Sequence, residues 1–211
     1  RRLPELPQRC LQSMICAKAS GKRWKYPTSI WFIRKAASQG CIIMKDRPAV
    51  VAVSGVKNSG KTTLIIEMLP YLTEKGLRVA VIKHDGHSFE PDPVCTDTGR
   101  YLAGGACGSA IYDQEKFQII KEQSIAVENL IDQFSDVDLI LIEGLKFSAW
   151  PKLEVVRSDN SSGPVCDPAT LLALVTDLPI EYFGVKMIPL GNAEAAARIL
   201  LRYMEEEFPV D

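Results

Sequence analysis

The chain has 211 residues, of which 46% are hydrophobic and 24% charged, and this suits one well-buried domain better than two. Residues 1–43 carry nine Lys or Arg and one acid, whereas the remainder carries 16 basic and 25 acidic residues, a net charge of −9. An acidic main domain disfavours a nucleic-acid partner, and no stretch reaches the roughly 20 apolar residues that span a membrane.

Two segments of the chain differ in character. Residues 1–43 are basic and show no sustained helical or strand period. We expect them to be a poorly ordered or non-native extension, with an organelle transit peptide as the alternative. Residues 44–211 are then the folded domain. The six cysteines have no C-x-x-C spacing, which favours free thiols in a reducing cytoplasm.

Apolar runs alternate with helical periods after residue 48. Strands are predicted at 49–54, 77–83, 109–113, 117–120, 138–144, 152–157 and 171–176. Helices are predicted at 61–75, 97–104 and 125–134, and a closing helix capped by Asn192 runs to near residue 206. Hydrophobic strands interleaved with helices predict an α/β fold with a mostly parallel twisted sheet and helices on both faces.

The segment GVKNSGKT at residues 55–62 matches the phosphate-binding pattern G-x-x-x-x-G-K-[ST], between a predicted strand and a predicted helix. Glycines let such a loop turn its N–H groups toward a phosphate, and the helix N-terminus adds positive potential. Lys61 is predicted to reach the β- and γ-phosphates, and Thr62 to bind Mg²⁺. Nucleotide contacts are predicted along the whole loop: Gly55, Val56, Lys57, Asn58, Ser59, Gly60, Lys61, Thr62 and Thr63.

Two acids follow apolar strands and are candidates for the catalytic centre. Glu143 ends the run DLILIEG, and Asp85 follows the strand at 77–83. Ligands of parallel sheets bind at the carboxyl ends of strands, so both acids are predicted to join Thr62 around Mg²⁺. Together with Lys61 they form the predicted catalytic set.

The segment VIKHDGHSFEPD holds both histidines of the chain, His84 and His87. The strand before them follows the phosphate-loop helix by one short turn, so we expect it to lie parallel and close to the first strand. His84 is then predicted to contact phosphate or substrate. A zinc site is disfavoured, because Cys95 is the only nearby cysteine.

The order of these motifs resembles a known family. VAVSGVKNSGKTTLIIEMLPYLTEKGLRVAVIKHDGHSFEPD, followed by TDTGRYLAGGA, LILIEGLK and LLALVTD, is similar to the molybdopterin-guanine dinucleotide biosynthesis protein B family across residues 44–177. The resemblance implies a GTP-binding P-loop protein, usually a homodimer, with weak GTPase activity. It also implies a partner, the molybdenum cofactor guanylyltransferase that attaches GMP to molybdopterin.

The same resemblance carries over to individual residues. The family's strand-end motifs fall on His84, on Glu143 with Lys146, and on Asp177. The chain lacks the N-K-x-D motif that reads guanine in most GTPases, so Asp177 is the predicted guanine contact. Molybdopterin is a further candidate ligand, with three basic candidates for its phosphate: Lys146, Lys152 and Arg157.

Two alternatives stay open at the level of sequence. A P-loop small-metabolite kinase shares the phosphate loop, although it normally adds a basic lid. A nucleotide-switched interaction module would leave the chemistry to its partner. Hydrolysis is predicted to be slow, because the sequence identifies no arginine finger and no water-positioning Gln.

Overall fold

The computed structural model describes residues 47–86, 89 and 92–207, so the predicted extension at residues 1–43 lies outside the described residues. Eight strands are described: β1 (Ala49–Ser54), β2 (Val79–Lys83), β3 (Gly108–Tyr112), β4 (Phe117–Lys121), β5 (Leu139–Glu143), β6 (Lys152–Val156), β7 (Leu171–Thr176) and β8 (Met187–Pro189). Four α-helices accompany them: α1 (Lys61–Glu74), α2 (Asp97–Ala103), α3 (Val127–Asp132) and α4 (Ala193–Glu207). Among these helices none is both long and apolar enough to cross a membrane.

Six strands form one sheet in the order β2-β5-β1-β6-β7-β8, with every neighbouring pair parallel. The predicted α/β fold class is therefore confirmed. We expected β2 to lie parallel and close to β1. The two strands are parallel, but β5 lies between them. The crossover through α1 skips one strand position, and β5 fills it by pairing in register with both strands. The three-residue strand β8 was not predicted, since it is too short to show a period.

The sheet is covered by helices on both faces. On one face α1 and α4 pack against the odd-numbered residues of β1 and β5, including Val51 and Leu141. On the other face the short helix α3 packs Ile131 against Val50, Ile140 and their neighbours. Both faces of β1 and β5 are buried, which explains why these strands are apolar at every position but the last.

Helix α1 begins directly after the phosphate-loop sequence and matches its predicted bounds closely. Its buried residues recur at helical spacing and face the core: Leu64, Ile65, Met68 and Leu72. Gly76, with φ 78°, follows its end. The cap predicted for the closing helix is also present, since the Asn192 side chain accepts from the Ala195 N–H at 3.1 Å.

Strands β3 and β4 form a separate antiparallel hairpin. The backbone N–H of Asp113 donates to the Lys116 carbonyl, and the Asp113 carboxylate accepts from the N–H groups of Glu115 and Lys116. A connection this short cannot carry a parallel crossover, which needs a dozen or more residues. These two predicted strands therefore lie outside the parallel sheet.

Candidate nucleotide-binding site

Gly55 opens the phosphate loop directly after β1, with φ 138°. A Cβ placed on this residue would lie 2.4 Å from the carbonyl oxygen of Val155 in the neighbouring strand β6. Only glycine adopts this backbone conformation readily, and no side chain fits against that oxygen. The loop therefore starts in close contact with β6.

The N-terminus of α1 faces the loop. The first intrahelical bond runs from the Leu64 N–H to the Gly60 carbonyl at 2.9 Å, so the N–H groups of Lys61 through Thr63 have no acceptor inside the helix. The ammonium of Lys61 donates to the Val56 carbonyl at 2.7 Å across the loop. The Ser59 hydroxyl is buried and lacks a hydrogen-bond partner within the part of the chain that the structure describes. This collection of donors fits an anionic phosphate.

Positive charge is concentrated around Lys61. Burial lowers the pKa of Lys61, Glu143 raises it, and the ammonium groups of Lys146 and Lys83 lower it further. These two lysines, from the strand ends of β5 and β2, therefore lie within electrostatic reach of the phosphate loop. A phosphate placed among three ammonium groups would compensate their mutual repulsion.

Thr62 and Glu143 are in direct contact. The Thr62 hydroxyl donates to the Glu143 carboxylate, at 2.9 Å from Oε1 and 3.0 Å from Oε2. Glu143 is only 8% exposed and is in register with Val53 of β1 and Lys83 of β2. A hydroxyl and a carboxylate provide the oxygen ligands that Mg²⁺ prefers, so this pair fits the predicted cation.

The carboxyl end of β2 lies beside that of β5. The His84 N–H donates to the Glu143 carbonyl at 2.9 Å, and a Cβ on Gly144 would lie 3.2 Å from the His84 carbonyl oxygen. His84 and Asp85 are exposed at this edge, so the predicted role of Asp85 near Mg²⁺ stays a prediction. His87 lies outside the described residues. Within residues 47–86, 89 and 92–207, no three His, Cys, Asp or Glu side chains group as a metal site.

Two of the three basic candidates for a pterin phosphate, Lys146 and Lys152, have different surroundings. Lys146 stays at the site, with its ammonium 5.0 Å from the centre of the exposed Phe147 ring. The prediction for Lys152 is wrong. That side chain is 0% exposed and donates to the Ser148 carbonyl, so it cannot reach a ligand. Burial lowers the pKa of Lys152, while the nearby Cys166 and Glu154 raise it.

Asp177 follows β7 directly and is exposed at the same edge of the sheet. Its two carboxylate oxygens accept from the backbone N–H and the hydroxyl of Ser158, each at 2.8 Å. These two bonds hold the pKa of Asp177 below its usual value. The carboxylate is thus ionised and oriented at neutral pH, and its contact with guanine stays a prediction.

Sequence reasoning named Arg157 only as a candidate for the pterin phosphate, and it missed that the turn after β6 lies against the phosphate loop. Asn160 donates from Nδ2 to the carbonyl of Asn58 in the phosphate loop at 2.5 Å. The guanidinium of Arg157 lies beside Gly60, since a Cβ placed on Gly60 would be 3.9 Å from Nη2 of Arg157. The available signal was the position of Arg157 at a strand end, but only the strand order places that end beside the phosphate loop.

Residues 50–177 match the family described as Molybdopterin guanine dinucleotide synthesis protein B, MobB. The chain belongs to the MobB family. It is 33% identical over 130 residues to a probable molybdopterin-guanine dinucleotide biosynthesis adapter protein of Bacillus subtilis, covering 60% of this chain and 75% of that protein. It is 25% identical over 167 residues to the adapter protein of Escherichia coli, covering 75% of this chain and 94% of the relative.

Solved MobB structures have the same fold. The crystal structure of Bacillus subtilis MobB aligns with a TM-score of 0.62 and 28% identity, over 73% of this chain and 96% of that one. A MobB homologue from Bacillus stearothermophilus aligns with a TM-score of 0.59 at 22% identity, over 74% and 98%. The matched family region includes both the phosphate loop and Glu143, so the candidate site lies within the MobB part of this chain.

Proposed function

We propose that this chain is a GTP-binding accessory protein of molybdenum cofactor biosynthesis, which assists the attachment of GMP to molybdopterin. The observation that carries the proposal is the contact between Thr62 and Glu143 beside a complete phosphate loop, in a chain whose relatives are named adapter proteins of this pathway. The partner we propose is the molybdenum cofactor guanylyltransferase.

The roles of the site residues follow from their positions. The loop N–H groups and Lys61 would bind the β- and γ-phosphates, and Lys83 and Lys146 add positive potential. Thr62 and Glu143 would hold Mg²⁺, which neutralises phosphate charge when bound. Asp85, at the end of β2, is proposed to orient water near the cation, and His84 to contact phosphate. No Gln is identified that would position the attacking water, so we propose that GTP hydrolysis is slow.

Guanine recognition is assigned to Asp177. An oriented carboxylate can accept hydrogen bonds from the N1–H and N2–H₂ groups of guanine, whereas adenine presents no such pair of donors. The bonds from Ser158 leave lone pairs on both carboxylate oxygens available for this contact.

A homodimer is proposed, with the β3–β4 hairpin at its interface. Residues paired across the hairpin share a face, and one face carries Tyr112, Phe117 and Ile119. Tyr112 is 83% and Phe117 75% exposed. Two-stranded hairpins are marginally stable alone, and contiguous exposed apolar groups mark interaction surfaces. A second copy would bury both hairpins.

Molybdopterin is proposed as a second ligand at the Lys146 end of the site. The ammonium of Lys146 and the exposed ring of Phe147 offer a cation for a phosphate and an aromatic surface for a pterin. A cytoplasmic location agrees with the free thiols of Cys95, Cys107 and Cys166.

The decisive experiment is a calorimetric titration of GTP and of ATP, each with Mg²⁺, in the absence and presence of the guanylyltransferase charged with molybdopterin. GTP should bind at least about tenfold more tightly than ATP, a difference that a satisfied carboxylate contact can supply. Its affinity should change when the partner is present. Preferential ATP binding with phosphoryl transfer to a small acceptor would instead support the kinase alternative.

Matched variants assign the effect to the site. Lys61→Ala should abolish GTP binding, because it removes the cation that reaches the phosphates, whereas Lys75→Ala at the exposed far end of α1 should leave it unchanged. Asp177→Asn should lose the preference for GTP over ATP. GTP affinity that survives Lys61→Ala would contradict the site, and an unaltered GTP preference in Asp177→Asn would contradict the guanine contact alone.

A further inference from the structure

The turn after β6, residues 157–161, is held against the phosphate loop. The N–H groups of Asn160 and Ser161 both donate to the Arg157 carbonyl at 3.0 Å, which closes the turn. Asn160 then donates to the carbonyl of Asn58, at the tip of the phosphate loop. The position of this turn is therefore fixed relative to the loop.

The same turn is attached to β7. Ser158 donates both its N–H and its hydroxyl to the carboxylate of Asp177. The backbone at Arg157 is thus held by hydrogen bonds on two sides, to the phosphate loop through Asn160 and to the end of β7 through Ser158. A long side chain that starts from a fixed backbone position loses less freedom when it binds a ligand.

The guanidinium of Arg157 lies at the N-terminus of α1, where a Cβ on Gly60 would be 3.9 Å from Nη2. A cation at this end of a helix is repelled by the helix dipole, and Lys61 already contributes a positive charge there. Arg157 is exposed, and among the described residues no carboxylate lies close enough for an ion pair, although its charge helps to lower the pKa of the nearby Asp177. A phosphate bound at the loop would give this cation a second anionic partner.

Strand order indicates which part of an anion Arg157 would meet. Glu143 ends β5 on one side of the phosphate loop, whereas Arg157 follows β6 on the other, and Asp177 follows β7 one strand further out. A nucleotide with its terminal phosphate at Thr62 and Glu143 and its base at Asp177 crosses the loop past Arg157. The inner phosphates therefore lie nearest to this guanidinium.

We propose that Arg157 binds the α- and β-phosphates of the guanine nucleotide and does not contact the γ-phosphate. This assignment rests on the proposed nucleotide site and extends it. It makes Arg157 a residue that recognises GTP and GDP alike, so the GDP formed by hydrolysis keeps this contact. It also predicts that Arg157 contributes to binding and not to the hydrolytic step.

The test measures GTP and GDP affinity and the single-turnover rate of GTP hydrolysis in Arg157→Ala, Arg157→Lys and Arg202→Ala. Arg157→Ala should weaken GTP and GDP to the same extent, by about ten- to hundredfold, with the hydrolysis rate at saturating GTP within about threefold of the original. Arg157→Lys should recover part of the loss, because it keeps the charge without the planar fork. Arg202→Ala removes an exposed arginine from α4 and should change nothing.

Each other outcome has a distinct meaning. A loss confined to GTP, or a large drop in the hydrolysis rate, would place Arg157 at the γ-phosphate and overturn the assignment. Unchanged affinities in Arg157→Ala, with binding still abolished in Lys61→Ala, would overturn it while the proposed function stands. Absence of nucleotide binding in the original chain would remove the proposed function and the assignment with it. Melting temperatures of all variants, and Arg157→Gln as a neutral polar replacement, separate these effects from misfolding.

Discussion

The central sheet and the β3–β4 hairpin contain similar apolar residues in opposite surroundings. Every residue of β1 and β5 is buried, because helices cover both faces of the sheet. The hairpin, in contrast, leaves Ile111, Tyr112, Phe117 and Ile119 exposed. An apolar residue pattern therefore identifies strands. It does not reveal whether the surface that covers their apolar side chains belongs to the same chain.

The two regions also divide the work that we propose. Residues at the carboxyl edge of the sheet, from His84 to Asp177, bind the ligand and depend on a rigid, internally covered scaffold. The hairpin carries no residue of the candidate site and offers a surface for a second copy. Substitutions in the central sheet should therefore affect stability and ligand binding. Substitutions in the hairpin should affect association of two copies.

The largest contrast is expected in stability. Leu141→Ala removes a 0% exposed side chain between the two helical layers and should lower the free energy of unfolding by about 3 kcal/mol, because it leaves a cavity. Ile111→Ala removes a 57% exposed side chain of the hairpin and should change it by less than about 0.5 kcal/mol. Urea denaturation measures both values. Equal losses would show that the hairpin has a core of its own.

The next effect concerns association. The double variant Tyr112→Ser/Phe117→Ser removes both exposed aromatic rings from one face of the hairpin, and it should weaken the dimer by about a hundredfold, since interfacial aromatic residues carry much of the binding energy. Sedimentation velocity across a range of protein concentrations measures this change. Gln118→Ser, on the opposite face, is the matched control. A dimer that withstands the double variant would place the interface elsewhere, and GTP affinity should stay unchanged throughout.

Residue patterns predicted the elements of the sheet better than their arrangement. The bounds of β1 and α1 follow from an apolar run that ends at the phosphate loop, because both signals are local. The position of β5 between β1 and β2 depends on how far the α1 crossover reaches, which no local pattern records. The separate hairpin was missed although the short connection around Asp113 excludes a parallel crossover.

The same distinction between local and long-range information applies to the site. Thr62 and Glu143 could be paired from sequence, because both sit at the carboxyl edge of predicted parallel strands. Lys152 was misassigned, since a lysine that opens an alternating strand resembles an exposed residue. Its burial depends on the loop around Cys166, which lies more than ten positions away in sequence and covers that face of β6. The place of Arg157 beside Gly60 likewise required the strand order.

The smallest expected effect is proton uptake during GTP binding. It should depend on Lys61 at the sheet edge and not on the lysines of the hairpin. Burial, together with Lys146 and Lys83, holds the pKa of Lys61 below its ordinary value of 10.5, and Glu143 opposes this shift. Bound phosphate would raise that pKa again. In the window between the lowered pKa and the raised one, GTP binding should therefore be accompanied by proton uptake.

Calorimetry of GTP binding at a series of pH values above neutral, in two buffers with different ionisation enthalpies, measures this uptake. Lys146→Ala should reduce it, because removal of a neighbouring positive charge lets the pKa of Lys61 rise before GTP arrives. Lys116→Ala in the hairpin turn should leave it unchanged, since that exposed ammonium is not among the groups that shift Lys61. Proton uptake that depends on Lys116, or none at any alkaline pH, would break the proposed separation between a charged ligand site at the sheet edge and an association surface on the hairpin.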